Sequence, residues 1–215
     1  MKLTYSVQVC NESRELFSLL QFLTKVIDDE DIIHVVVDTV RKTEKVQMVL
    51  EHFKDKIVIF ERPFDSFYKN GSFHMNNAVG DYVFGLDADE MPQELLIKNI
   101  KNIITESGAD IIGIPRINIH PGSTEKFIHD SNFKVNDVGW INWPDFQLRI
   151  CRVCDHVKLT DEVHTKLTGS DKIAMLQPNP KMALWHIKSV DKQESRWDAV
   201  GGFTTPDGSI YDLLM

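Results

Sequence analysis

Between Asp31 and Asp38 the chain reads DIIHVVVD, an almost unbroken β-branched run. A run this short, apolar on consecutive rather than alternate positions, suits a strand covered on both faces. Strands of that kind occur in parallel sheets layered between helices. The same pattern recurs along the first half of the chain, where LTYSVQV (3–9), KIVIF (56–60), DYVFGLD (81–87) and ADIIGIPRI (109–117) also read as strands. Segments with helical spacing separate them. In NESRELFSLLQFLTKVI (11–27), Leu16, Leu19, Leu20 and Leu23 fall three and four apart and form one apolar stripe, with Asn11 or Ser13 as the cap. RKTEKVQMVLEHF (41–53), DSFYKNGSFHMNNAV (65–79, weakened by Gly71) and PQELLIKNIKNIIT (92–105, Pro92 near its first turn) continue the alternation. Such repetition predicts an α/β fold, a mixed and mostly parallel sheet with helices on both faces.

The length of 215 residues suits one domain with a full α/β core. A composition of 42% hydrophobic and 26% charged residues is that of a soluble globular protein, and no apolar run reaches the roughly 18 residues of a membrane span. The formal net charge of -8 is not the usual footprint of a nucleic-acid binder. Three cysteines, an odd number, fit a reduced, cytoplasmic setting. Two of them, Cys151 and Cys154, make a lone CxxC within a strand-like stretch and read as small buried residues rather than a metal or redox pair.

After Ile119 the character changes. HPGSTEKFIHDSNFKVNDVGWINWPD (120–145) is polar, aromatic and aperiodic, the profile of a functional insertion, with Trp140 and Trp143 available for a sugar ring, a base or a satellite core. FQLRICRV (146–153) reads as a further strand, SVDKQESRWDAV (189–200) as a late helix and 201–215 as a tail.

The stretch with the most chemistry is GDYVFGLDADEMPQELL (80–96), where a buried strand ends in Asp87, Asp89 and Glu90. Carboxylates so close repel unless a cation sits among them. In open α/β sheets the ligand lies beyond the carboxyl ends of the strands. Hard oxygen donors there suit Mn²⁺ or Mg²⁺ bridged to substrate phosphates. The competing reading makes the three acids an exposed loop that caps the following helix.

Taken together, these segments resemble the family-2 glycosyltransferases, which have the GT-A fold. GDYVFGLDADEMP looks like that family's DxD segment, YSVQVCNES its nucleotide-binding start, and WPDFQLRICRVCDHVKLTDEVHTKLTG (143–169) a downstream block in which Asp145, Gln147, Arg149 and His164 match. ALWHIKSVDKQESRW (183–197) is similar to the family's late histidine and helix. The likeness covers roughly Leu3 to Trp197. Thr165 stands where the family often has a glutamate after the histidine, and Lys69 with Asn70 is the nearest match to its arginine–asparagine pair.

The resemblance implies one GT-A-like domain over 1–215, with residues 1–116 binding a nucleotide diphosphate sugar, UDP-linked by expectation, and 117–215 forming the acceptor side. Val9, Asn11, Glu12 and Asp38 would meet the nucleotide, with Asp87 and Arg149 at its ribose and phosphates. Asp89, Asp87 and the neutral imidazole of His186 would hold Mn²⁺ or Mg²⁺. An inverting transfer needs a general base to take the acceptor proton, and Asp161, Glu162, Asp145 and His164 are the candidates.

The expected acceptor is a saccharide or lipid-linked glycan. A modified base in DNA is a second class, disfavoured by the acidic charge. A nucleotidyltransferase would carry a Gly-rich basic loop after the first strand, and CNESREL has neither feature. A non-catalytic nucleotide-sugar-binding module would be expected to lose the acids, which are present.

Overall fold

In a computed structural model, residues 1–160 and 166–190 are described. In chain order they form β1 (Leu3–Val9), α1 (Ser13–Val26), β2 (Ile32–Asp38), α2 (Glu44–Phe53), β3 (Val58–Arg62), α3 (Phe67–Asn76), β4 (Tyr82–Asp87) and β5 (Glu90–Pro92). There follow α4 (Glu94–Ser107), β6 (Ile111–Ile119), α5 (Glu125–Asp130), β7 (Ile141–Arg152), β8 (Lys158–Leu159), β9 (Leu167–Thr168), β10 (Ile173–Met175) and β11 (Leu184–Ile187). The main sheet runs β3-β2-β1-β4-β7-β6-β11-β5, with β10 joined to β6. β1 lies parallel to both β2 and β4, and β2 to β3. β7 is antiparallel to β4 and β6, and β5 is antiparallel to β11. β8 and β9 pair as a separate ribbon. The expected mixed, mostly parallel α/β sheet is therefore present.

β1 shows why helices cover both faces. Leu3, Tyr5, Val7 and Val9 enter one core with Leu16, Leu19, Leu20 and Leu23 of α1, Val46 and Leu50 of α2, and Leu96, Ile100 and Ile104 of α4. The alternate residues turn toward α3. Thr4 Oγ1 donates to Val79 O (2.8 Å), Ser6 Oγ lies 2.6 Å from His74 Nδ1, and Gln8 Oε1 accepts from Asn70 Nδ2 (2.7 Å). Strand order reverses between β1 and β4, so a right-handed crossover places α3 on the face opposite α1 and α2. Gly71, which weakens α3 in propensity, faces the ribbon there. A Cβ at that position would require the Leu159 side-chain methyl of β8 to move aside.

Three sequence expectations change. The third strand begins at Val58 and ends at Arg62 rather than spanning 56–60. Pro92 does not open a helix. It is buried at the end of β5 opposite Leu184, and α4 starts at Glu94 after Gln93. A proline is tolerated on a short edge strand because little ladder bonding is lost. The 120–145 stretch is also less irregular than its composition implies. Thr124 caps α5 by accepting from Phe127 N (3.1 Å), and β7 already begins at Ile141. The expected late helix lies almost wholly outside the described residues.

Candidate active site

β1 and β4 flank the point where strand order reverses, the usual ligand position in such sheets. At the end of β1, Glu12 folds back so that Oε2 accepts from Cys10 N and Asn11 N, both at 3.0 Å. Val9 is the last residue of β1 and pairs with Val37. At the end of β2, Asp38 is buried; Oδ1 accepts from Val40 N (3.1 Å) and Phe64 N (3.2 Å). Its Oδ2 lies 3.7 Å from Arg41 Nη1 and 3.9 Å from Cys10 Sγ, so the two strand ends adjoin. Burial, with the Glu12 and Asp38 carboxylates nearby, pushes the Cys10 thiol up to about 12, which keeps it a neutral packing group.

The acids after β4 divide into two sets. Asp87 and Glu90 join a charged cluster. Arg149 Nη2 reaches Asp87 Oδ2 (2.7 Å) and Glu90 Oε1 (2.5 Å), while Arg116 Nη1 reaches Glu90 Oε1 (2.8 Å). Asp145 is held by Arg116 Nε and Nη2 (2.9 and 2.7 Å), Asn118 Nδ2 (2.8 Å) and Gln147 Nε2 (2.9 Å). Gln8 Nε2 donates to Asp87 Oδ1 (2.8 Å). The repulsion expected among adjacent carboxylates is offset by two guanidiniums. Burial alone would raise the Asp87 carboxyl, but Arg149 beside it holds it below the usual carboxylate range. Burial likewise opposes the charge on Arg149, and Glu90 and Asp87 outweigh it, keeping the guanidinium firmly protonated. Glu90 is 1% exposed, so the reading of all three acids as a solvated capping loop is wrong.

Asp89 adds to the repulsion on Asp87 and lies beside β11. Its Oδ2 lies 3.7 Å from His186 Nε2, with the two side chains 11% and 8% exposed. His186 reaches this point because β11 pairs with both β5 and β6, opposing Glu90 and Asn118. His186 Nδ1 is 2.8 Å from Asn118 Oδ1. The His120 ring packs edge-on to His186 at 6.4 Å, and its buried Nδ1 has no hydrogen-bond partner among the described residues. Burial, reinforced by the nearby cations Lys188 and Arg116, pushes His120 down to about 4.

The donor pair fits a hard divalent ion. Two bonds of roughly 2.1 Å span more than 3.7 Å, so one ion can touch Asp89 and His186 together. Among the described residues, no group of three or more His, Cys, Asp or Glu is arranged for a metal. The protein side thus offers few donors, as suits an ion completed by phosphate and water. Asp87, the third expected donor, is directed at Arg149 and Gln8.

Asp161, Glu162 and His164 lie outside the described residues. Arg116, Asn118 and Gln8 emerged only from the fold as parts of this site, and Glu90, grouped with Asp87 and Asp89 in the sequence, proved to be the acid shared by both arginines. One signal in the sequence marks two of them: Arg116 and Asn118 alternate at the end of an otherwise apolar strand, with His120 continuing the alternation just past it. At the rim, Trp140 packs edge-on to Trp143 (5.2 Å) and to Trp185 (6.3 Å), so the insertion's aromatics form an ordered cluster. Cys151 is buried as expected, whereas Cys154 is partly exposed, with Sγ 3.6 Å from His156 Nε2.

No protein-family model and no curated protein matches the chain. Solved structures do. The 1–349 fragment of S. aureus TarS superposes with a TM-score of 0.58 at 16% identity, covering 87% of this chain and 60% of that one. The same fragment solved in complex with UDP-GlcNAc gives 0.58 at 16% identity, covering 87% and 59%. Longer TarS gives 0.57 at 16% identity, covering 96% of this chain and 41% of TarS. The chain therefore spans about 60% of the fragment's length. At this identity the likeness is one of fold: a mixed, mostly parallel α/β sheet with helices, similar to that of GT-A neighbours.

Proposed function

We propose that this chain is a metal-dependent, inverting glycosyltransferase of the family-2 type that uses a nucleotide diphosphate sugar, UDP-linked by preference. One observation carries the reading: Asp89, just past the carboxyl end of β4, meets His186 of β11 at 3.7 Å beside the strand-order reversal. TarS, which shares this fold, has been solved with UDP and with UDP-GlcNAc.

Asp89 and His186 would hold Mn²⁺ or Mg²⁺, which supplies Lewis-acid stabilisation of the charge that grows on the leaving diphosphate. The turn Val9–Glu12 and Asp38 would receive the nucleoside, since they form the adjoining ends of β1 and β2. Arg149 and Arg116 keep Asp87 and Glu90 charge-balanced, so the site tolerates its acids before any cation arrives. The base that takes the acceptor proton comes from Asp161, Glu162, His164 or Asp145, and Asp145 already accepts from Arg116, Asn118 and Gln147. The acceptor hydroxyl belongs to a saccharide or lipid-linked glycan, with Trp140 and Trp143 at hand for its rings.

Calorimetry of UDP with and without Mn²⁺ tests this reading. Mn²⁺ should tighten UDP binding, and Asp89→Asn or His186→Gln should each weaken the Mn²⁺-supported affinity by about tenfold or more, the loss of a contact worth roughly 1.5–3 kcal/mol. Equal UDP affinity in the presence and absence of Mn²⁺ would refute it.

A further inference from the structure

Asn118 sits 6% exposed between His186 and Asp145. Its two amide atoms can be told apart by their neighbours. One faces Asp145 Oδ2 at 2.8 Å and Ile141 O at 3.4 Å. A carbonyl oxygen only accepts, and so does a carboxylate paired with Arg116. The atom facing them must therefore be the donor, Nδ2. The other amide atom, Oδ1, faces His186 Nδ1 at 2.8 Å. An acceptor there requires Nδ1 to carry hydrogen. The alternative neutral tautomer would set two lone pairs against each other at hydrogen-bond distance. The uncharged ring consequently keeps its hydrogen on Nδ1 and leaves Nε2 bare, and Nε2 is the atom 3.7 Å from Asp89 Oδ2.

We infer that Asn118 is a positioning residue that locks His186 in its Nδ1–H tautomer, with Nε2 free to donate to a divalent cation beside Asp89. The metal half of this inference rests on the function proposed above; the tautomer half does not. The lock begins at a distance, because Arg116 fixes Asp145, Asp145 fixes the Asn118 amide, and the amide fixes the imidazole. An outer partner that sets the tautomer of a metal-ligating histidine commonly contributes 10–100-fold in metal affinity, or about that range here.

The test has two arms. The first is a long-range proton–nitrogen correlation spectrum of ¹⁵N-histidine-labelled chain without metal, at about pH 9, well above the ordinary histidine range near 6.5. His186, assigned by the loss of its signals in His186→Gln, should show hydrogen on Nδ1. Hydrogen on Nε2 overturns the inference, and this arm needs no variant at Asn118. The second arm compares Mn²⁺ affinity in the presence of UDP for the parent and for Asn118→Leu. The variant should bind Mn²⁺ about 10–100-fold more weakly and lose the Nδ1–H signature. A folded variant that binds as the parent does overturns the inference. A parent that shows Nδ1–H yet takes up no Mn²⁺ with UDP overturns the metal reading and the donor role of Nε2, while the lock itself stands on the spectrum.

Discussion

The two faces of β1 are both buried, and they are built from opposite chemistry. Leu3, Tyr5, Val7 and Val9 pack into the α1, α2 and α4 side as pure apolar volume. Thr4 and Ser6, exposed by 0% and 1%, face α3 and are satisfied by hydrogen bonds instead. The polar side continues through Gln8, Asn70 and Asp87 to Arg149, so it leads directly into the charged cluster. The apolar side supplies stability that depends on volume. The polar side supplies orientation, because each of its groups is held at a defined distance and would be costly to leave unpaired.

The strongest way to break that contrast is Arg149→Met. It removes the guanidinium paired with Asp87 and one of the two guanidiniums paired with Glu90, and because the Glu90 side chain is fully buried the loss should cost about 3 kcal/mol. Denaturant unfolding should show that loss at neutral pH. The gap should also depend on pH. Asp87 is held below the ordinary carboxylate value near 3.9, so the stability it contributes is present above about pH 4 and lost as pH falls further. The difference between parent and variant should narrow below about pH 4, and a gap that widens there would contradict the pairing.

Leu20→Ala probes the other face. A fully buried leucine on α1 should cost about 3 kcal/mol, while UDP affinity measured on the folded fraction stays at the parent value. A matching loss of UDP affinity would show that the two faces are not separable.

The smallest effect belongs to Ser6→Ala, which leaves His74 Nδ1 without its partner and should cost about 1 kcal/mol. His74 adds a pH test of its own. Burial pushes it down to about 4, so the unfolded chain takes up a proton first, and stability should fall as pH drops from about 6.5 toward 4. His120, also lowered to about 4, shares that slope. His74→Gln should flatten part of it in a pH series of melting temperatures, and an unchanged slope would remove His74 from the account.

This contrast also explains what could be read without coordinates. Apolar spacing located β1, β2 and β4, and α1 and α4 to within a few residues, because burial of leucine, valine and isoleucine leaves a periodic trace. Buried polar residues leave none. Thr4, Ser6, Gln8 and Asn70 look the same in a string of letters whether they face water or one another. Asp89 and His186 stood out by residue type, but their meeting depends on β5, a three-residue strand too short to show a period. Arg116 and Asn118 were hidden for a different reason. A strand read as apolar conceals the polar alternation at its end.

The brevity of β5 has a mechanical consequence. In the sheet, β4 and β5 are separated by β7, β6 and β11, yet in the chain only Ala88 and Asp89 lie between them. The hydrogen-bonded path that leaves β4 therefore returns to it through one short covalent link, as a hoop closes on its clasp. Asp89 is at the clasp, and His186 lies on the hoop one strand away, opposite Glu90. Neither backbone position can shift far without opening the β5–β11 ladder, so the loop sets the separation of the two chain positions and the side-chain rotamers set the rest. On the function proposed above, a nucleotide sugar would meet a backbone frame held by the hoop, and the adjustment would fall to the side chains and to the ligand.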